Sequence, residues 1–233
     1  MKHEIIGSNL QMVKVDLNAG EGIFAEAGSM VNMTGSILME SQLKGGIISG
    51  LKRAVTGESV FLTRFSAGEQ RGFVCFAGMM PGKIFPVLIG AGREFIARKE
   101  SFLCCDETVE LDIAITDKIQ AGLFGGEGFI LERMTGQGTV FLHCCGDIVE
   151  LSLAAGEVMK VQTGLVVGFE HTVDYNIALA GGITTALFGG EGLFVTTLTG
   201  PGKVVLQSMD IKKIAASLIP YLPKQPEITV KAL

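Results

Sequence analysis

The side chains best suited to metal binding or nucleophilic chemistry are the five cysteines and three histidines of this 233-residue chain. His143, Cys144 and Cys145 are consecutive, and Cys104 and Cys105 form a second adjacent pair. The C-x-x-C spacing of zinc sites is missing, and adjacent residues of a β-strand point to opposite faces, which also disfavours a disulfide between them. We therefore predict no metal site and expect buried, reduced thiols, as in a cytoplasmic protein.

A glycine-rich motif, Leu-Phe-Gly-Gly-Glu-Gly, occurs at residues 123–128 and again 64 residues later at 187–192, and a shorter Gly-Glu stands at 57–58. The backbone N–H groups of such a loop could bind an anion, but the lysine and Ser/Thr of a phosphate-binding loop are missing. The three glutamates could hold a cation around a pseudo-threefold axis, or accept backbone N–H bonds at the turn. We favour a structural turn motif, which comprises Gly57, Glu58, Gly125, Gly126, Glu127, Gly128, Gly189, Gly190, Glu191 and Gly192.

The sequence contains no arrangement typical of an enzyme. Glu110 and Asp112 share one face of an alternating segment and could do acid–base chemistry, but a solvated strand face is the simpler interpretation. A nucleophile elbow, an ordered catalytic triad and a dinucleotide fingerprint are all missing from the sequence. We therefore assign no catalytic residue and no cofactor.

The elements that must position these residues are repeated along the chain. Residues 85–142 align with 149–206 without a gap, and 18 of the 58 aligned positions are identical. A third, more divergent copy opens the chain, where residues 13–21 align with 149–157. Such repeats indicate units that bury their apolar faces against one another. We expect one β body of three units, at about residues 10–84, 85–148 and 149–209.

Composition and periodicity predict that each unit is built of β-strands. Val109, Leu111 and Ile113 alternate with Glu110 and Asp112, and the chain holds 32 glycines, many of them between such segments. Half-buried antiparallel strands joined by glycine turns favour a β-barrel or a sandwich. A helix is expected at residues 210–221, where Asp210 can cap its start, and a mobile tail at 223–233.

An insertion at residues 42–58 is the most distinctive surface segment. It combines apolar and basic side chains at helical spacing, namely Lys44, Ile47, Ile48, Leu51, Lys52 and Arg53. The segment could pack on its own β body as a lid, or form a contact surface for another subunit or for an anionic membrane. The chain as a whole is acidic, with a net charge of -5, so we expect no nucleic-acid partner. The N-terminal residues carry no secretory or transit signal, which also favours a cytoplasmic location.

The order of several motifs resembles the altered-inheritance-of-mitochondria family of TRAP-like proteins. The motifs are Gly-Glu-Ser-Val-Phe-Leu-Thr at 57–63, the two Leu-Phe-Gly-Gly-Glu-Gly motifs, Gly-Pro-Gly-Lys-Val-Val-Leu-Gln-Ser at 200–208 and Ile-Pro-Tyr-Leu-Pro at 219–223. The resemblance implies an all-β, TRAP-like double-stranded β-helix or barrel with internal duplication, often oligomeric, in a prokaryotic member of the family. It implies no catalytic residue, and the inner-membrane role of the mitochondrial members does not carry over.

Two functions remain open at this point. The first is a non-enzymatic, oligomeric β scaffold or protein-interaction protein, a trimer or a multiple of a trimer, with a protein or peripheral membrane partner. The second is a protein that binds a small ligand or a metal in the barrel interior or on the pseudo-threefold axis. The repeat favours the first, because repeated units present extended surfaces.

Overall fold

A computed structural model describes residues 1–43, 61–90, 92–114, 130–179 and 194–222. This part of the chain is almost entirely β, with nineteen strands. The strands are β1 (Lys2–Ile6), β2 (Met12–Leu17), β3 (Gly22–Glu26), β4 (Met30–Met33), β5 (Ile37–Leu43), β6 (Phe61–Ala67), β7 (Gly72–Ala77), β8 (Gly82–Ile89), β9 (Phe95–Arg98), β10 (Phe102–Asp106), β11 (Val109–Ile113), β12 (Leu131–Gly136), β13 (Gly138–Cys145), β14 (Ile148–Leu153), β15 (Val158–Gln162), β16 (Val166–Glu170), β17 (Asp174–Leu179), β18 (Phe194–Thr199) and β19 (Gly202–Gln207).

The strands form four sheets, and neighbouring strands in each sheet run antiparallel. The first sheet has the order β1-β2-β7-β4 and the second β5-β6-β3-β10-β13-β8. The third has the order β11-β12-β9-β16-β19-β14 and the fourth β15-β18-β17. Within the described ranges none of these sheets closes on itself.

The core consists of three apolar clusters, and each lies between two consecutive sheets. Val15 and Phe76 of the first sheet meet Phe65 and Phe141 of the second in one cluster. The second cluster joins the second and third sheets, and the third cluster joins the third and fourth. The second and third sheets are therefore buried on both faces, which explains the continuous apolar runs in strands such as β10.

The burial of side chains in β2 and β10 confirms the predicted alternation along the strands. In β2, Val13, Val15 and Leu17 are buried, and the residues between them are half-buried. In β10, Cys104 packs into the first cluster while its neighbour Cys105 packs into the second. All five cysteines are free thiols, and only Cys145 is not fully buried.

Glycine turns separate the strands as the sequence predicts. Gly20, Gly92 and Gly156 occupy positions aligned by the repeat, and they have φ angles of 81°, 79° and 76°. Side chains with a Cβ atom rarely adopt this left-handed conformation, so glycine is the residue that fits these turns.

The predicted C-terminal helix is present as α1 (Ile211–Leu218), followed by a short 3-10 turn (Ile219–Tyr221). The Asp210 side chain caps the helix by accepting a hydrogen bond from the Lys212 backbone N–H, at 2.9 Å. None of the residues of α1 is buried. Ile214 is half-buried, and the other residues of α1 are exposed. With eight residues, α1 is too short to cross a bilayer, and no described helix could do so.

Candidate functional site

The residues of the turn motif and of the possible contact surface, both predicted from sequence alone, lie outside the part of the chain that the structure describes. This applies to every glycine and glutamate of the turn motif, at 57–58, 125–128 and 189–192, and to the basic and apolar residues of the insertion, at 44–53. Their roles therefore remain predictions, and the site below is built from other residues.

A cleft of about 540 Å³ opens beside Ile211, the first residue of α1. The end of β3, the start of β4 and the turn between β7 and β8 form one side, and the end of β9, the start of β10 and the end of β13 form the other. Its apolar wall consists of Met30, Val31, Met79, Met80, Phe102, Leu103 and Ile211. Sites for small organic molecules have this size and this apolar character, with few polar groups.

His143 projects from β13 into this cleft and is only 7% exposed. Gly78 lies directly against its imidazole ring, and a Cβ atom at position 78 would collide with the ring. Burial lowers the pKa of His143 below 6.5, although hydrogen bonding to the Met80 backbone acts in the opposite direction. The ring is therefore a neutral, tightly packed group at physiological pH.

Cys145 lies two residues further along β13, on the same strand face as His143, and also lines the cleft. Cys144 points to the other face and packs into the second core cluster. Burial raises the pKa of the Cys145 thiol, and the nearby Arg98 charge acts in the opposite direction. A raised pKa means less thiolate, so this is not the environment of an activated nucleophile.

The floor of the cleft is a hydrogen-bonded network around Gly164. Arg98 Nη1 and Gln207 Nε2 both donate to the Gly164 carbonyl oxygen, at 2.8 and 3.0 Å. Gln207 Oε1 in turn accepts from the Cys145 backbone N–H at 2.9 Å. Arg98 Nε lies 3.3 Å from a carboxylate oxygen of Glu100, which completes an ion pair at the edge of the cleft. These contacts join β9, β13 and β19 to the turn before β16 and hold the floor in one arrangement.

Glu26, the last residue of β3, lines the opposite side. Its backbone carbonyl accepts two bonds from Ser29, from the hydroxyl at 2.7 Å and from the backbone N–H at 3.2 Å. Burial raises the pKa of its carboxyl group; Lys99 acts to lower the pKa and Glu100 to raise it. The structure thus places a half-buried acid beside an apolar wall.

The described lining of the cleft combines an apolar wall with a small number of ionisable side chains. Among the described residues, no group of three or more His, Cys, Asp and Glu side chains is placed to hold a metal ion. The ionisable groups of the cleft are a neutral imidazole, a thiol with a raised pKa, an arginine paired with Glu100, and the carboxylate of Glu26. Sequence reasoning noted His143 and Cys145 as possible ligands but missed Glu26 and Arg98. The sequence contains one signal for these two residues. The repeat aligns Glu26, Arg98 and Gln162, so an acidic, a basic and a neutral side chain occupy the same position of the three copies.

Known proteins resemble this chain in sequence and in structure. Residues 3–209 match the family model described as mitochondrial biogenesis AIM24. A Streptococcus pyogenes serotype M6 protein, described as uncharacterized, is 28% identical over 220 residues, which cover 91% of this chain and 87% of the relative. The X-ray crystal structure of another Streptococcus pyogenes protein has 27% sequence identity and a TM-score of 0.80, covering 95% of this chain and 99% of the other. Since the family match spans most of the chain, and as the sequence motifs predicted, this chain belongs to the mitochondrial biogenesis AIM24 family.

Proposed function

We propose that this protein is a non-enzymatic β scaffold that assembles with further copies of itself through the edges of its sheets. One observation carries the proposal. Every large apolar side chain that is exposed within a described strand lies on a strand at the edge of its sheet, namely Val31 of β4, Leu38 and Met39 of β5, Leu88 of β8, Val149 of β14 and Val158 of β15.

Edge strands expose backbone N–H and C=O groups, and monomeric proteins protect such edges with charges, prolines or bulges. In β5 the adjacent residues Leu38 and Met39 are 58% and 55% exposed, and neighbours in a strand point to opposite faces. Within the described ranges β5 pairs only with β6. Glu40 is the only charged residue of β5, so Leu38 and Met39 leave apolar surface on both faces of this edge, which is suited to pairing with a second copy.

We further propose a TRAP-like, double-stranded β-helix body of three units. The strand order supports it: β2-β7-β4 with β5-β6-β3, β8-β13-β10 with β11-β12-β9, and β14-β19-β16 with β17-β18-β15 follow one scheme. Three units per chain favour a trimer or a multiple of a trimer. The buried thiols at Cys75, Cys104, Cys105 and Cys144 support a reducing, cytoplasmic location.

The second candidate function is binding of a small ligand. It is favoured by the cleft of about 540 Å³, where a few polar side chains face a continuous apolar wall. This alternative does not depend on edge-strand assembly, because none of the exposed residues of β5 lines the cleft.

Sedimentation equilibrium tests the scaffold function. The double variant Leu38→Lys with Met39→Lys places two charges on the β5 edge, and we expect it to dissociate the assembly formed by the wild-type chain. Ser41→Lys adds one charge at an exposed polar position of the same strand and serves as the control. A wild-type chain that is monomeric across micromolar concentrations contradicts the proposal, as does a double variant that assembles like the wild type.

A further inference from the structure

We propose that the cleft binds a small organic cation with an apolar tail, and that the carboxylate of Glu26 pairs with its ammonium group. The inference rests on the second candidate function, ligand binding at the cleft, and goes beyond it by naming the class of ligand. It does not depend on the scaffold function.

The first argument is the state of the Glu26 side chain. Among the described residues its carboxylate has no hydrogen-bond donor and no ion-pair partner, although the backbone of the same residue is held by Ser29. A half-buried carboxylate without a donor loses hydration and gains little in return. A bound ammonium group would supply both the missing charge and the missing N–H donors.

The second argument is the balance of charge in the cleft. Its charged lining residues are Glu26, Glu100 and Arg98. Arg98 is already paired with Glu100 at 3.3 Å, and the buried His143 is held neutral. Lys99 lies close enough to lower the pKa of Glu26, but it does not line the cleft. Among the described residues, Glu26 is therefore the charged lining residue that no ion pair neutralises, so a cation that enters the cleft is attracted to it and an anion of the same shape is repelled.

The third argument is the shape and chemistry of the wall. A cleft of about 540 Å³ accommodates a molecule far larger than a hydrated ion. Met30, Met79 and Met80 supply flexible thioether side chains, and the loop residue Met79 is 96% exposed, so it can move over an apolar tail. Burial of methylene groups against this wall provides affinity, and Glu26 provides the selectivity for charge.

A matched series of probes separates these contributions. Decylamine, decanol and decanoate carry the same tail with a positive, a neutral and a negative head group at neutral pH. Isothermal titration calorimetry, below the concentrations at which the probes form micelles, gives their dissociation constants. We expect decylamine to bind about tenfold more tightly than decanol, the effect of one charge-assisted contact, and decanoate to bind most weakly.

Two variants assign the preference to Glu26. Glu26→Gln keeps the shape of the side chain and removes the charge, so decanol should bind unchanged while decylamine loses its advantage. Glu26→Asp keeps the charge and should retain a preference for decylamine. It controls for any loss of binding that results from substitution at this position rather than from loss of the charge. Glu69→Gln, an exposed acid in the turn between β6 and β7 that does not line the cleft, should behave as the wild type.

Circular dichroism melting confirms that each variant is folded before the titrations are compared. The proposal is overturned if decanoate binds as tightly as decylamine, or if the preference for decylamine survives in Glu26→Gln. It is equally overturned if the folded wild-type protein binds none of the three probes.

Discussion

The repeat aligns Glu26, Arg98 and Gln162, each the last residue of its strand, but the three side chains differ in their hydrogen bonding. Arg98 ends β9 and Gln162 ends β15, and both side chains are held by defined partners, the Gly164 carbonyl and the Asp210 carboxylate, at 2.8 and 2.9 Å. Glu26 ends β3, and its carboxylate has no such partner among the described residues. The same aligned position therefore holds a side chain that is fixed by hydrogen bonds at two places and, in our proposal, a ligand-binding carboxylate at the third.

This difference shows how one copy of a repeated element can present a side chain for ligand binding. Polar side chains that lose contact with water normally have hydrogen-bond partners. A partner within the protein indicates that the side chain stabilises the fold, and the lack of one in a cleft indicates a place for a ligand. Perturbed ionisable groups in clefts are candidates for function on the same ground. The comparison predicts that substitutions at Arg98 and Gln162 affect folding, whereas substitution of Glu26 affects binding.

The largest expected effect is at Arg98. Arg98→Ala removes the donor to Gly164 and the partner of Glu100, and a buried hydrogen bond from a charged group is worth about 1.5–3 kcal/mol. We expect a loss of about 2–3 kcal/mol in the free energy of unfolding, measured by urea denaturation. Arg98→Lys, which cannot reproduce the forked geometry, should recover only part of it. A wild-type midpoint in Arg98→Ala would mean that Arg98 does not stabilise the fold.

A smaller effect is expected at Asp210, the partner of Gln162. Asp210→Ala removes both the bond from Gln162 and the cap of α1, and loss of a helix cap costs about 1–2 kcal/mol. Asp210→Asn keeps an acceptor for the Lys212 backbone N–H and should lose less. Urea denaturation of the two variants side by side measures the difference, and equal losses would show that the cap contributes nothing.

The smallest effect concerns a second aligned pair, His143 and Gln207. Because burial lowers the pKa of folded His143 below 6.5, the unfolded chain binds more protons as the pH falls below that value. Stability from this residue is thus complete above pH 6.5 and is lost as the pH falls through the lowered pKa. His143→Gln should flatten this dependence in thermal melts between pH 7 and pH 5, whereas an unchanged slope would contradict the assignment.

Much of the fold could be predicted from sequence, because it depends on local patterns. The alternation of Val13, Val15 and Leu17 gives β2 directly, and Asp210 before an apolar stripe of period 3.6 gives the start of α1. The exposure of α1 could not be predicted, because an apolar stripe shows that a helix has an apolar face but not what covers it.

The cleft could not be predicted for a different reason. Glu26, His143 and Arg98 are far apart in sequence. The pairing of β10 with β3 and with β13 brings the strands of Glu26 and His143 together, and Arg98 ends β9, the strand that precedes β10. The sequence shows that the charged residues Glu26 and Arg98 are aligned. Whether the Glu26 carboxylate has a hydrogen-bond or ion-pair partner depends on every element that packs near it. The most prominent motifs in the sequence are the glycine-rich repeats rather than the residues of the cleft, and the regular spacing of these repeats reflects duplication.

The most direct test of the account is the pKa of Glu26 in the free and bound protein. Carbon-13 NMR of the side-chain carboxyl, assigned by its disappearance in Glu26→Gln, follows its titration with and without saturating decylamine. We predict a pKa above 4.5 in the free protein, because burial disfavours the charged form, and a fall on binding, because an ammonium group stabilises the carboxylate. A pKa at or below 4.5 in the free protein, or one that decylamine leaves unchanged, would contradict the central claim that Glu26 is a half-buried acid that pairs with a bound cation.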